Sequence, residues 1–287
     1  MFTQSVIVSN MKFKNYIVAI FLIFSIQEYA LSQEKATLNL LEQKLCSLQS
    51  SLHELRHTFN SSIEDESVYN SYRDSLLLRF EENLKELLTL DSTYQYEYTE
   101  LQKKDCRIIK SSDNKVRVLT QNTYQGGSNP MLYSYIQYVS GNVNHIQRIN
   151  ENDDPGFEYF TIHPVGDDNN NLYLLSGITL IANCYFSEIL QAVSFKQNNL
   201  IKPPVFDTDG QYTDNLLISY QYDMSDTTYT ETTGNSLFRI IYCDTNKCIY
   251  KPIIRLKDGI EYISKEMMIY RKELDGNNRT IFKGCKL

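Results

Sequence analysis

The chain has 287 residues, with 35 acidic and 28 basic side chains and a formal net charge of −7. Hydrophobic residues make up 42% and charged residues 22%, while glycine and proline number only 11 and 6. This composition excludes disordered, collagen-like and multi-span membrane proteins. An acidic chain without a basic block is also a poor candidate for a nucleic acid partner, because phosphate binding needs clustered lysine and arginine.

The first segment of the chain resembles an export signal. Two lysines precede an apolar run at 16–26, and small residues at 30–32 follow it. This order predicts a signal peptide over residues 1–32, in which Met11 occupies the usual starting position. Since the run is short for a bilayer span, we expect a mature chain that begins near Gln33 without a membrane span. The predicted location is secreted, periplasmic or in the cell envelope.

Leucines spaced alternately by three and four residues indicate a helix with one apolar seam. The seam consists of Leu38, Leu41, Leu45, Leu48, Leu52, Leu55 and Phe59. After a polar break at 60–62, a second apolar stripe is made of Tyr69, Tyr72, Leu76, Phe80, Leu84 and Leu87. A break this short makes the helices antiparallel neighbours, so residues 35–90 are predicted to form a helical hairpin. Its seam and outer face are candidates for homo-oligomer contacts.

The first of these helices contains His53-Glu-Leu-Arg-His57, which matches the H-E-x-x-H motif of zinc peptidases. In that chemistry two histidines one turn apart bind zinc, and the glutamate accepts a proton from metal-bound water. Because Leu52 and Leu55 belong to the seam, His53, Glu54 and His57 are expected on the outer face, without a well-placed third ligand. We therefore interpret the motif as a polar helix face and assign no catalytic residue, metal or cofactor. A zinc-dependent extracytoplasmic hydrolase is the alternative function.

The remainder of the chain reads as sheet. Residues 91–105, with several tyrosines among acids and lysines, are predicted to be a connector. From Cys106 onward, short β-branched and aromatic runs alternate with turn clusters such as Asp-Gly. These runs predict an antiparallel β domain over residues 106–287, either a sandwich or a propeller-like array. The expected fold class is α+β, an N-terminal antiparallel helical hairpin followed by an antiparallel β domain.

Six cysteines in an exported chain predict disulfide bonds. Cys243 and Cys248 end and begin two strands that four polar residues join, a hairpin that would bring their Cβ atoms close. Cys106 and Cys285 bracket the β domain and are the second predicted pair.

The segment Asp207–Asp214 resembles a shortened calcium-binding loop, with Asp207, Asp209 and Asp214 around Gly210. The EF-hand pattern needs glycine at its sixth position and glutamate at its twelfth, and this segment has neither. A polar turn is the preferred interpretation, and a loose calcium site is the alternative.

Aromatic residues are frequent, with 22 tyrosines and 13 phenylalanines. Tyr220, Tyr222 and Tyr229 cluster near acids and threonines, and tyrosine combines stacking area with a hydroxyl group. We predict an aromatic surface here that binds protein or glycan, while half-buried strand positions explain most of the other tyrosines.

Residues 111–127, followed by Tyr133–Tyr138 and later by Leu172–Gly177, resemble segments of uncharacterised secreted bacterial β-rich proteins. In that family the first strand typically ends in a dipeptide with tryptophan, and Gln121-Asn122 stands in its place here. The resemblance implies a secreted β architecture and no known activity. We therefore expect an exported, non-catalytic binding or interaction module.

Overall fold

The computed structural model describes residues 3–62, 66–125, 130–140, 143–150, 156–165, 171–182, 185–221, 240–257, 260–277 and 279–286. Two helices, α1 (Thr3–Ser62) and α2 (Glu66–Thr89), precede short 3-10 turns at Asp91–Gln95 and Leu101–Lys103. The strands of the described residues are β1 (Cys106–Lys110), β2 (Val116–Asn122), β3 (Leu132–Ser140), β4 (Val143–Arg148), β5 (Glu158–Pro164), β6 (Leu172–Ala182), β7 (Tyr185–Lys196), β8 (Asn199–Ile201), β9 (Phe206–Thr208), β10 (Gln211–Thr213), β11 (Asn215–Gln221), β12 (Ile241–Cys243), β13 (Cys248–Lys257), β14 (Ile260–Leu274) and β15 (Thr280–Lys286). This order confirms the predicted α+β fold.

The leucine seam of α1 forms the core of the helical pair. Its six leucines from Leu38 to Leu55 are at most 8% exposed, and α2 contributes Phe80, Leu84 and Leu87 at 0%. Tyr72, predicted in the second stripe, is 54% exposed, and Leu77 is buried instead. The seam leucines are therefore buried against α2 and the first sheet, and the predicted homo-oligomer contact through the outer face stays a prediction.

Helix α1 begins earlier than the predicted start of the hairpin at residue 35, since it runs without a break from Thr3 to Ser62. Nearly all of the described side chains at 28–37 are exposed, because this part extends beyond the shorter α2. The signal peptide and its removal stay predictions. Within the described residues, no helix combines the length and the apolar character that crossing a membrane requires.

The strands form three sheets. The first has the order β1-β2-β3-β4, the second β11-β7-β6-β5 with β8 beside β7, and the third β10-β9-β15-β14-β13-β12. All described pairings are antiparallel except that of β15 with β9, where Phe282 lies opposite Phe206. The β domain is therefore mostly antiparallel, as predicted.

The three sheets stack face to face, with the helical pair as an outer layer on the first sheet. In β2, Leu119 packs with the helices, whereas Val118 packs with the second sheet. In β6, Leu175 joins that same inter-sheet cluster, and Leu174 packs against the third sheet. Since successive strand side chains point to opposite faces, the central strands are buried on both sides. The β domain is therefore layered and mostly antiparallel.

The connector at 91–105 is packed into the protein rather than free. Tyr98 and Leu101 are 1% and 0% exposed. The buried Arg117 of β2 donates hydrogen bonds of 2.6 Å to the carbonyl oxygens of Thr93 and Tyr94. Its guanidinium also lies 5.0 Å from the ring centre of Tyr98. Burial lowers the pKa of Arg117, although nearby tyrosines oppose this shift. The connector thus closes the edge of the layer between the helices and the first sheet.

Candidate functional site

Two adjoining grooves lie where α1, the turn at Leu101–Lys103 and the first sheet meet. The larger, of about 440 Å³, is lined by Gln102, Lys103, Asp105, Arg107, Asn122 and Glu158, among others. The smaller, of about 280 Å³, is lined by Ser50, His53, Glu54, Lys103, Lys104, Asp105 and Tyr124, among others. Lys103 and Asp105 border both, so the grooves meet along one ridge. The larger volume falls within the usual range for ligand sites in proteins.

Asp105 and Tyr124 fix the ridge between the grooves. Both residues have positive φ angles, 52° and 57°. The Tyr124 hydroxyl donates a 2.5 Å hydrogen bond to Asp105 Oδ2, and the Tyr124 amide donates to Asn122 Oδ1 at 2.9 Å. Burial and the Asp105 carboxylate raise the pKa of Tyr124, so the hydroxyl keeps its proton at neutral pH. These bonds hold the polar wall of the site in place before any ligand arrives.

Arg107 and Glu158 line the larger groove together. The Nε of Arg107 donates to Glu158 Oε1 at 2.5 Å, and its guanidinium lies 4.2 Å from the ring centre of Phe160. The pair joins β1 of the first sheet to β5 of the second. A side chain held by both an ion pair and a ring contact is pre-organised to interact with a carboxylate or carbonyl group.

The lining of the grooves carries charges of both signs. Lys103, Lys104 and Arg107 are positive, while Glu54, Asp105 and Glu158 are negative. Among the lining residues Tyr124 is the aromatic one, and it is 7% exposed. The grooves therefore offer charges and hydrogen-bonding groups rather than an open ring face.

His53 and Glu54 of the H-E-x-x-H motif line the smaller groove, and His57 lies one helical turn further along α1. His53, Glu54 and His57 are all exposed, as the seam position predicted. The Nε2 atoms of His53 and His57 are 3.3 Å apart, and the His53 ring centre lies 5.2 Å from that of Tyr124. Across the part of the chain that the structure describes, no group of three or more His, Cys, Asp and Glu side chains is arranged to hold a metal ion.

The segment Asp207–Asp214 forms a tight hairpin turn between β9 and β10. Asp209 and Gly210 have positive φ angles of 54° and 86°, typical of the two-residue turn that joins such strands. Asp207 Oδ1 accepts a 2.8 Å hydrogen bond from the Gly210 amide. The aspartates that resemble a calcium loop therefore stabilise the turn: Asp207 accepts its hydrogen bond, and Asp209 occupies one of its two central positions.

The residues of the predicted aromatic surface are placed differently from the expectation. Tyr220 is 3% exposed, and its hydroxyl donates a 2.5 Å hydrogen bond to Glu188 Oε1 between the second and third sheets. A side chain in this position is part of the core and does not reach a ligand at the surface. Tyr222 and Tyr229 lie outside the described residues.

The five described cysteines are free thiols in the structure, and Cys184 lies outside the described residues. Cys243 and Cys248 are directly opposite each other in the pairing of β12 and β13, but their thiols are not within disulfide distance, so the predicted bond is not formed in the structure. Cys106 is buried in the first sheet and Cys285 is exposed on the third, with the second sheet between them. The structure therefore does not bring Cys106 and Cys285 together, because the strands that bracket the β domain belong to different sheets.

Sequence reasoning missed the charged residues that line the two grooves. Lys103, Lys104 and Asp105 precede the first strand and resemble an ordinary polar connector, while Arg107 and Glu158 are far apart in sequence. The run of charges immediately before β1 was the available signal. Comparison of the chain with models of protein families, with curated proteins and with solved structures found no match in any of the three.

Proposed function

We propose that the protein is an exported, non-catalytic binding module that holds an extended segment of a partner protein in the two adjoining grooves. The observation that carries the proposal is the meeting of both grooves at Lys103 and Asp105, with fixed charges of both signs along their walls. A peptide segment presents carbonyl and amide groups together with side chains of either charge. The grooves provide partners for each of these groups.

The chemistry of the lining supports a protein partner over a glycan. Carbohydrate sites commonly use an exposed aromatic ring as a stacking platform. Of the residues that line the grooves, the aromatic Tyr124 is 7% exposed and its hydroxyl is engaged by Asp105. Charged walls formed by Lys104, Arg107 and Glu158 suit a charged peptide better.

The export part of the proposal rests on the segment at 1–32. Its two lysines, apolar run and small residues follow the order of a signal peptide. Mass measurement of exported protein tests it, since a chain that begins near Gln33 is expected. Retention of residues 11–32 would contradict the proposal.

Selection from a displayed random-peptide library tests the binding function. The full chain is the bait, and counter-selection uses the double variant Lys103→Glu with Lys104→Glu. We expect enriched peptides with acidic residues, whose affinity for the variant is lower by about tenfold or more and falls with added salt. Failure to enrich any peptide, or equal affinity for variant and wild type, would count against the grooves.

The matched control is the double variant Lys196→Glu with Lys202→Glu. It makes the same change in net charge at exposed lysines outside the groove lining. It should retain the selected peptides, because the proposal attributes binding to local contacts rather than to total charge.

The alternative function is a zinc-dependent hydrolase centred on His53, Glu54 and His57. The short distance between the two histidine nitrogens favours it, whereas a catalytic zinc site of known type uses three protein ligands. The variant His57→Gln separates the two functions, because it should abolish hydrolysis of a peptide substrate in a hydrolase, whereas His57 is outside the groove lining and its loss should leave peptide selection unchanged in a binding module.

A disulfide between Cys243 and Cys248 belongs to the same proposal. Their direct pairing across β12 and β13, in an exported chain, supports oxidation there. Cys46, by contrast, should react slowly. Burial and, after it, the nearby carboxylates of Glu42 and Glu100 raise the pKa of its thiol to about 11. Peptide mapping without reduction should recover the Cys243–Cys248 link, and free alkylated Cys243 would contradict it.

A further inference from the structure

We propose that His53 and His57 form a two-histidine site for a divalent ion of the zinc class, without a hydrolytic role. The two side chains leave α1 one turn apart on the same face, and their Nε2 atoms are separated by 3.3 Å. Neutral imidazole nitrogen is a preferred ligand of zinc, copper and nickel. The site uses a different chemistry from the charged walls of the grooves, and it does not depend on the proposed partner.

The separation of the two nitrogens matches tetrahedral zinc coordination. With Zn–N bonds of 2.0–2.1 Å and tetrahedral angles, two ligand nitrogens lie about 3.3–3.4 Å apart. Square-planar copper with neighbouring nitrogens needs a shorter separation, of about 2.9 Å. The 3.3 Å distance between His53 Nε2 and His57 Nε2 is that of a hydrogen bond between the two rings and equals the spacing of two tetrahedral ligands, so a bound ion would take the place of this hydrogen bond.

The helix that carries the two imidazoles is anchored, and His53 is in contact with a further ring. Leu52 and Leu55, on the opposite face of the same helical turns, are 2% and 8% exposed and anchor this part of α1. The His53 ring packs edge-on against Tyr124, at 5.2 Å between ring centres. A site on an anchored helix loses less conformational entropy on binding than one on a loop, which favours the ion.

The number of protein ligands sets what the ion can do. Two histidines leave two tetrahedral positions for water or for a group from another molecule. Glu54 lies beside the pair at the rim of the smaller groove, but the described residues provide no group of three ligands. An ion with two free coordination positions can bind an imidazole or carboxylate from another molecule. It is not a closed structural centre, which needs four protein ligands.

Isothermal titration of the full chain with zinc chloride tests the proposal. We expect one ion per chain whose affinity falls by at least about tenfold in His53→Gln and in His57→Gln. Both positions are exposed and glutamine is a good helix former, so the variants should fold, which circular dichroism checks. Because cysteine thiols also bind zinc, the readout is the loss caused by these substitutions and not the total zinc bound.

The sharpest control exchanges two neighbours, as His57→Thr combined with Thr58→His. This variant keeps the composition and the number of histidines but moves the second imidazole to a spacing of five residues, off the face of His53. It should bind zinc as weakly as His57→Gln. Zinc affinity that is equal in wild type, glutamine variants and exchanged variant, or no saturable binding to wild type, would overturn the proposal. So would tight binding by the exchanged variant alone.

Discussion

Two buried layers of the protein differ in the side chains that fill them. One lies between the helices and the first sheet, and the other lies between the second and third sheets. The first contains several buried polar side chains, including Glu42, Gln49, Arg117 and Gln121, none more than 3% exposed. The second is built mainly from leucine, isoleucine, phenylalanine and tyrosine, and Glu188 is the buried carboxylate described there.

The difference in buried polar side chains follows from how the elements on either side of each layer are positioned relative to each other. Neighbouring strands are already placed by their backbone hydrogen bonds, so the sheets need mainly apolar contacts between faces. A helix on a sheet has no such ladder, and a leucine seam by itself fixes its position only weakly. Gln49 of α1 donates to the Asn122 carbonyl at 2.9 Å and accepts from Gln121 at 3.0 Å, which sets the helix at one place along β2.

The largest effect should come from removing a buried ring in either layer. Phe80→Ala in α2 and Phe282→Ala in β15 each delete a side chain that is 0% exposed, so each should lower the free energy of unfolding by about 3–5 kcal/mol. Urea denaturation followed by circular dichroism measures both. The effects should add in the double variant, because the rings belong to different clusters. A large deviation from additivity would mean that the two layers are coupled.

Loss of the buried arginine should be the next largest effect and should be specific to the helix side. Arg117→Met keeps much of the side-chain volume but leaves the carbonyls of Thr93 and Tyr94 without their donor, at a cost of about 1.5–3 kcal/mol. Arg107→Met is the matched control, since its ion pair with Glu158 is partly exposed and is worth at most about 1 kcal/mol. Equal costs for the two variants would contradict the structural role of Arg117.

Each layer contains a buried carboxylate, and replacing each one tests whether buried polar contacts stabilise the helix layer more than the sheet layer. Glu42 accepts from the Tyr96 hydroxyl at 2.6 Å and from the amides of Glu100 and Leu101, both at 2.9 Å. Glu188 accepts from Tyr220 and from the Ile240 amide, on the sheet side.

Glu42→Gln and Glu188→Gln each turn one acceptor into a donor that faces other donors, so each should cost about 1–3 kcal/mol of stability. The exposed Glu86→Gln serves as the control and should cost close to nothing. If only Glu42→Gln destabilised the protein, the polar character of the helix layer would be confirmed as the decisive difference. If neither did, buried polar contacts would not distinguish the two layers.

The smallest expected effect is a change in the pH dependence of stability, and it arises from His163 in the second sheet. Burial lowers the pKa of His163, and the neighbouring Asp244 only partly offsets this. The unfolded chain therefore binds the proton more readily, so the contribution of the neutral imidazole is complete above about pH 6.5 and is lost as the pH falls below that value. His163→Gln should reduce the fall in melting temperature between about pH 7.5 and about pH 5.5. An unchanged slope would refute the assignment.

Local patterns in the sequence predicted much of the fold. The leucine spacing identified the buried face of α1, and the turn residues marked most strand ends, including Asp209-Gly210 between β9 and β10. In the structure β6 (Leu172–Ala182) is one strand that runs through Gly177, where a glycine could equally have marked a turn. A side chain there would place its Cβ 2.9 Å from the Tyr159 ring, so the glycine serves close packing and not a turn.

The sequence by itself therefore determined the class of each segment, because helical and strand periodicity arise from contacts between residues that are near in the chain. Only the tertiary structure decided that Tyr220 is a core residue, that Cys106 and Cys285 lie in different sheets, and that His53 borders a charged groove. Each of these depends on which faces are covered by segments far away in sequence. That choice follows from the stacking of whole layers, which no local pattern records.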